Sequence, residues 1–266
     1  MHPCYFGDAD RPLFGVYHPP VSQRWPVSAV LCCPPVGQEY MRVHRDLVRL
    51  ARRLSSTGHH VLRFDYYGTG DSSGETGEGH AGQWRRDVRV AADELRDLSG
   101  AERVSAVGMR FGAILALDAM RDEDGVADLV LWDPVVSGGE YLRELESLHE
   151  RLREAYRRSH VTPDEASRDD LVGFPFPAQL RASIREAGSL LEARFRAARV
   201  LVIASEPRPD YERLCNAIGE QDIAVDYRHE PSPTHWDQVE QHDTILIARS
   251  SIEAITSFLN GANEGR

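Results

Sequence analysis

Six short apolar runs, Val27–Cys33, His60–Phe64, Arg103–Val107, Leu129–Trp132, Val200–Ala204 and Ile223–Tyr227, recur along the chain, with segments of helical period between most of them. Strands buried on both faces read as continuous Val, Ile, Leu and aromatic runs, so this alternation predicts a mostly parallel sheet covered on both sides. Tyr5–Phe6 and Leu13–Tyr17 add an antiparallel amino-terminal hairpin. Between the runs, His44–Thr57 carries Leu47, Leu50, Ala51 and Leu54 on one face and stops at Gly58, a residue suited to a helix C-terminus. Gln83–Leu98, Ala113–Met120, Tyr211–Ile218 and Ile245–Leu259 supply further helices. Right-handed strand–helix–strand crossovers repeated this often predict an α/β, doubly wound fold.

One stretch breaks the rhythm. Residues 137–198 separate the Leu129–Trp132 and Val200–Ala204 strands, far more chain than a simple crossover needs. It opens with a helical pattern of Leu142, Leu145, Leu148, Leu152 and Tyr156, passes through Phe174-Pro175-Phe176-Pro177, and continues with Leu180, Ile184, Ala187, Leu191 and Phe195 as a second helix. The expected division is a core of residues 1–136 and 199–266 and a helical lid of 137–198 over the carboxyl edge of the sheet.

Composition excludes several functions. The formal charge is −11, with the acids scattered, which argues against nucleic-acid binding. All 31 positive side chains are arginine, read as the codon usage of a GC-rich, bacterial genome, and the lack of lysine removes Schiff-base chemistry. No apolar run is long enough to span a membrane, and the amino terminus has no export pattern, so a cytoplasmic protein is expected. Cys4, Cys32, Cys33 and Cys215 show no metal-ligand or disulfide spacing, and no metal or cofactor is expected.

Three motifs fall at the carboxyl ends of expected strands, where open α/β sheets bind ligands: Cys33-Pro34-Pro35-Val36-Gly37-Gln38-Glu39-Tyr40, Arg63-Phe64-Asp65-Tyr66-Tyr67-Gly68-Thr69-Gly70-Asp71-Ser72-Ser73-Gly74, and Gly108-Met109-Arg110-Phe111-Gly112-Ala113. Together they resemble the α/β-hydrolase superfamily, in particular its serine aminopeptidase-like and acyl-thioesterase-like branches, and the resemblance covers essentially the whole chain. It implies a tight strand-to-helix elbow of the form Gly-x-Ser-x-Gly, with the serine as nucleophile. Here both glycines are present and the apex is Arg110. A guanidinium has no nucleophilic oxygen and is never deprotonated in a protein, so covalent acyl transfer at this apex is ruled out.

The resemblance also implies partners for the elbow. His235, after the last expected strand, matches the catalytic histidine. Asp210 is the first choice for its acid, with Glu206 in reserve and Asp133 a third possibility. Backbone N–H groups of Phe111 and of Val36 or Gly37 would form the oxyanion hole. Asp65 with Gly68, Gly70 and Gly74 is assigned to a structural turn. Ser105, Ser137, Ser205, Cys32 and Cys33 were weighed as displaced nucleophiles, and none sits on an elbow.

Two functions follow. In the first, a small acyl, ester or carboxylate-bearing substrate is turned over without a covalent serine, Arg110 binding an anionic group and His235 acting as acid or base. Isomerisation, elimination, cyclisation and water-mediated hydrolysis all fit. In the second, the chain is an inactive pseudo-hydrolase that binds a ligand or a protein partner, with Arg110 paired to Asp210, Asp133 or Glu39. A homodimer is compatible with either. The one Gly-x-Ser-x-Gly string in the chain, Gly70-Asp71-Ser72-Ser73-Gly74, lies in the second motif, whose glycines are assigned to a structural turn.

Overall fold

The computed structural model describes residues 1–22, 27–120, 126–158, 169–231, 236 and 248–261. In chain order the elements are β1 (His2–Phe6), β2 (Leu13–His18), β3 (Ala29–Cys33), α1 (Gln38–Ser56), β4 (His60–Phe64), α2 (Ala81–Ser99), β5 (Val104–Met109), α3 (Phe111–Met120), β6 (Val126–Trp132), α4 (Gly138–Arg158), β7 (Asp170–Leu171), β8 (Phe174–Pro175), α5 (Ala178–Arg185), β9 (Arg199–Ala204), α6 (Pro209–Gly219), β10 (Ala224–His229) and α7 (Arg249–Gly261). Eight strands form one sheet in the order β1-β2-β4-β3-β5-β6-β9-β10. β2 pairs antiparallel with β1 and β4, and every other pair is parallel.

Strand alternation builds two cores. Leu31, Ala106 and Val202 face one side, where α2, α3 and the insertion pack, while Val30, Val107, Met109 and Ile203 face the other, beneath α1 and α7. β3 and β5 are buried along their whole length, which is why they read as unbroken apolar runs. Asp65 closes the glycine turn that follows β4: its Oδ2 accepts the N–H of Asp71 at 3.0 Å, and Gly70 adopts φ +53° with no room for a Cβ beside that carboxylate.

Two helix boundaries differ from the sequence expectation. α1 begins at Gln38, six residues before His44, because Gly37 turns the chain at φ +61° and places Glu39 in the first helical turn; the apolar period starts only at Val43. In the insertion, α5 stops at Arg185, and Ala187, Leu191 and Phe195 lie in irregular chain rather than on a helix. Gly188 at φ +85° redirects the backbone there, so the apolar spacing continues without the helix. The insertion also contains a two-residue pairing, β7 with β8, that periodicity did not reveal. α5 packs against α4 and α2, and Ser183 Oγ accepts the N–H of Ala81 at the start of α2, 3.0 Å away. The side chain of Tyr156 and the residue Ile245 lie outside the described residues. No described helix is long and apolar enough to cross a membrane.

Candidate functional site

The chain leaves β5 at Met109, turns at Arg110 and enters α3. Arg110 holds φ +52°, a left-handed conformation that a residue with a side chain adopts only where its surroundings impose it. Those surroundings are tight. A Cβ on Gly108 would lie 2.5 Å from the Cα of Ala113, and one on Gly112 would lie 2.4 Å from the carbonyl oxygens of Cys33 and Pro34. The Arg110 N–H donates to the carbonyl of Trp132 on β6 at 3.0 Å. The two glycines thus permit the same sharp corner that would display a serine, and the corner displays a guanidinium.

Each nitrogen of that guanidinium makes a hydrogen bond, using three of its five N–H groups. Nε donates to Glu39 Oε1 at 2.9 Å, Nη1 to the carbonyl oxygen of Asp133 at 3.3 Å, and Nη2 to Glu144 Oε2 at 3.1 Å. The Trp236 ring lies with its centroid 5.0 Å from the guanidinium carbon. Glu39 is also held by the Tyr141 hydroxyl, which donates to its Oε2 at 3.1 Å. Glu144 reaches on to Arg208, whose Nη2 donates to Glu144 Oε1 at 2.6 Å. The result is a chain of charges, Glu39–Arg110–Glu144–Arg208, running from α1 through the elbow and α4 to the loop before α6.

Burial alone would pull the Arg110 guanidinium down, but Glu39 and Glu144 outweigh it and hold the group above its ordinary value. Burial pushes the Glu39 carboxyl up, against the pull of Arg110 and Tyr141. Glu144 is held below its ordinary value: burial would raise it, and Arg110 and Arg208 prevail. Both acids therefore face a permanent cation, with burial opposing ionisation most strongly at Glu39.

The three candidate acids fare differently. Asp133, at φ +43° where β6 ends, spends its carboxylate on Ser205: Oδ1 accepts the Ser205 N–H at 2.6 Å and Oδ2 the hydroxyl at 2.5 Å. The Trp236 indole N–H donates to the same Oδ2 at 3.2 Å. Burial pushes this carboxyl up despite those donors and Arg110. Asp210 lies in the first turn of α6, lines the cavity beside the elbow and pairs with Arg213 one turn on, at 3.0 Å. Glu206 is exposed on the same loop. His235 lies outside the described residues.

Beside the elbow is a cavity of about 490 Å³. Arg110, Glu39 and Asp133 form its floor, Val135, Val136, Leu145, Leu148, Tyr141, Tyr211 and Trp236 its walls, and Glu206, Arg208 and Asp210 line it from the β9–α6 loop. The expected oxyanion donors do not line this cavity. Phe111 and Val36 are buried, and the Phe111 ring stacks on Tyr141 at 5.5 Å. The Phe176 ring of the insertion packs 3.1 Å from where a Cβ of Gly37 would stand, so apolar side chains fill the corner over that turn.

Other nucleophile positions are occupied or suppressed. Burial pushes Cys32 up to about 12 and raises Cys33 well above its ordinary value. Ser105 lies inside β5, and the Ser137 hydroxyl accepts the N–H of Glu140 at 3.2 Å at the start of α4. Tyr141, Glu144, Arg208 and Trp236 are site residues that the sequence reading does not single out. Trp236 had one signal, its place directly after the candidate histidine, whereas the α4 residues had none, because a Leu-rich stripe at helical spacing advertises packing only.

Comparison with known proteins is consistent with this geometry. The profile of the family described as serine aminopeptidase, S33, matches residues 28–198. Palmitoyl-protein thioesterase ABHD10, mitochondrial, of Homo sapiens is 48% identical over 42 residues, 16% of this chain and 14% of that protein. Among solved structures, alpha/beta hydrolase domain-containing protein 10 from mouse superposes with a TM-score of 0.59 at 18% identity, covering 98% of this chain and 99% of that one. A thermostable carboxyl esterase from Bacillus coagulans, in complex with glycerol, gives 0.67 at 12% identity, covering 98% of each chain. Est1E from Butyrivibrio proteoclasticus, with ferulic acid bound, gives 0.63 at 14% identity, covering 99% of this chain and 100% of that one. Strand order, elbow and family profile converge: the chain belongs to the serine aminopeptidase S33 family of α/β hydrolases.

Proposed function

We propose that this chain is a pseudo-hydrolase that binds a small acyl or carboxylate compound in the 490 Å³ cavity and forms no acyl-enzyme. The observation that carries the reading is the engagement of Arg110: each of its three nitrogens already donates to an oxygen of the protein, two of them to carboxylates. A guanidinium so bound is a strut for the elbow, with its charge already balanced by the protein. The cavity volume suits a small ligand, and its walls combine apolar side chains with a few converging polar groups. The insertion contributes Tyr141, Glu144, Leu145 and Leu148 to that wall, which supports its reading as a lid.

A second reading, non-covalent turnover, draws on Asp133. Its carboxyl lines the cavity and is pushed up by burial, against the donors of Ser205 and Trp236 and the charge of Arg110, and a perturbed carboxyl in a cavity is a candidate acid–base group. Here His235 would share the acid–base work.

The test uses the wild-type chain. It is expected to resist a fluorophosphonate probe, to show no burst with p-nitrophenyl hexanoate, and to bind hexanoate or methyl hexanoate saturably by calorimetry. Ser147→Trp, a bulky ring at an exposed position of the cavity lining, is expected to abolish binding. Probe labelling of the wild type would overturn the proposal, and steady turnover without labelling would favour the second reading.

A further inference from the structure

The two carboxylates on Arg110 are not equivalent. The Glu39 side chain is 3% exposed and locked by Tyr141, whereas the Glu144 side chain is 38% exposed and stands on α4 at the cavity wall. Glu144 also bridges two arginines, with Oε2 3.1 Å from Arg110 Nη2 and Oε1 2.6 Å from Arg208 Nη2. One planar carboxylate with an oxygen on each guanidinium is the arrangement a ligand's own carboxylate would adopt.

We propose that Glu144 is a built-in surrogate: the cavity takes a monocarboxylic acid whose carboxylate displaces Glu144 and lies between Arg110 and Arg208. The inference rests on the reading of the cavity as a ligand pocket. The exchange conserves charge. Arg110 keeps Glu39 and gains the ligand, Arg208 keeps one anion, and Glu144 moves toward the water it already partly touches, so no buried ion is left alone. The apolar part of the acid lies against Val135, Val136, Leu145 and Leu148. A neutral ester has no charge with which to replace Glu144 and gains nothing from the two arginines. Because Glu144 belongs to α4, its release also loosens the tie between the insertion and the β9–α6 loop, coupling acid binding to movement of that wall.

Calorimetry with hexanoate and methyl hexanoate on the full chain tests this. Glu144→Gln removes the internal competitor and is expected to tighten hexanoate about tenfold while leaving methyl hexanoate unchanged. Glu144→Asp, one methylene too short to span both arginines, is expected to act in the same direction and guards against a folding defect in the first variant. Adding Arg208→Gln to Glu144→Gln is expected to cancel the gain, since the ligand then loses one of its two anchors. If hexanoate binds Glu144→Gln and wild type equally, or both ligands shift together, the surrogate role is overturned and the pocket reading stands. If neither ligand binds wild type or variant, both readings fall.

Discussion

Arg110 Nε and Glu39 Oε1 meet at 2.9 Å with side chains only 4% and 3% exposed, an ion pair sealed beneath the elbow. Such a pair stabilises little when measured against well-packed apolar residues, because both ions were taken out of water. It is nevertheless costly to break, since the survivor has no solvent to turn to. Arg110 and Glu39 therefore act as a two-residue device at the elbow, with Glu39 at the positive end of α1 supplying the counter-charge.

That asymmetry predicts a double-mutant cycle. Glu39→Ala alone is expected to cost about 3–5 kcal/mol of unfolding free energy, by removing the buried one of the two carboxylates paired with Arg110 and leaving the half-exposed Glu144 to balance it. Arg110→Met with Glu39→Leu is expected to cost much less than the two single changes added together. Urea unfolding of the four proteins measures both, and additive losses would show that the two residues do not act as a pair.

Restoring a serine alone is expected not to restore a hydrolase. Arg110→Ser orphans Glu39 in a buried site and leaves Phe176 packed over the Gly37 turn, so the variant should be unstable and unreactive toward a fluorophosphonate. Arg110→Ser with Glu39→Gln removes the orphaned charge and should recover stability. Labelling of the double variant, read by mass spectrometry, would show that a competent base reaches the elbow; unlabelled but folded protein would show that loss of reactivity extends beyond the apex.

The motifs made the elbow legible because glycine spacing encodes a backbone corner whatever side chain sits at its apex. The strands were legible for a similar reason: Val, Ile and Leu runs report burial on both faces, whereas their order in the sheet came only from the structure. The partners of Arg110 were readable only in part. Glu39 lies within the first motif, so its closeness to the elbow could be argued from topology, whereas Glu144 and Tyr141 come from a helix whose docking angle no local pattern specifies. Asp210 pairs with Arg213 one turn on and also lines the cavity, and position after a strand does not by itself decide which neighbour a carboxylate takes.

His18 supplies a pH dependence away from the cavity. It is buried at the end of β2, where burial first and Arg63 second lower its pKa from 6.5 to about 4. The folded chain therefore keeps the ring neutral where the unfolded chain takes up a proton. Stability from this group is complete above pH 6.5 and is lost as the pH falls toward 4, with a slope of up to about 1.4 kcal/mol per pH unit. His18→Gln, which retains an acceptor for the Arg63 Nε–H, should flatten that part of the profile. Identical slopes for the two proteins in urea titrations between pH 4 and 6.5 would assign the acid sensitivity elsewhere.

The close approach of α4 to α5 sets the position of Tyr141 and Glu144, and one glycine permits it. A Cβ on Gly138 would stand 1.8 Å from the carbonyl oxygen of Ile184, a separation that no side-chain rotation relieves because the obstacle is backbone. Gly138→Ala must therefore push the start of α4 away from α5 by more than an ångström. The helix carries Tyr141 one turn on and Glu144 the next, so the displacement should reach Glu39 and Arg110 and cost about 1–3 kcal/mol of stability. Gly139→Ala is the control: its Cβ would meet only the flexible Cγ of Arg185 at 3.9 Å, and a better helix former there should be neutral or slightly stabilising. A Gly138→Ala protein as stable as its Gly139→Ala counterpart would mean that the two helices can separate freely, and that the insertion does not fix the two side chains that hold the elbow's ion pair.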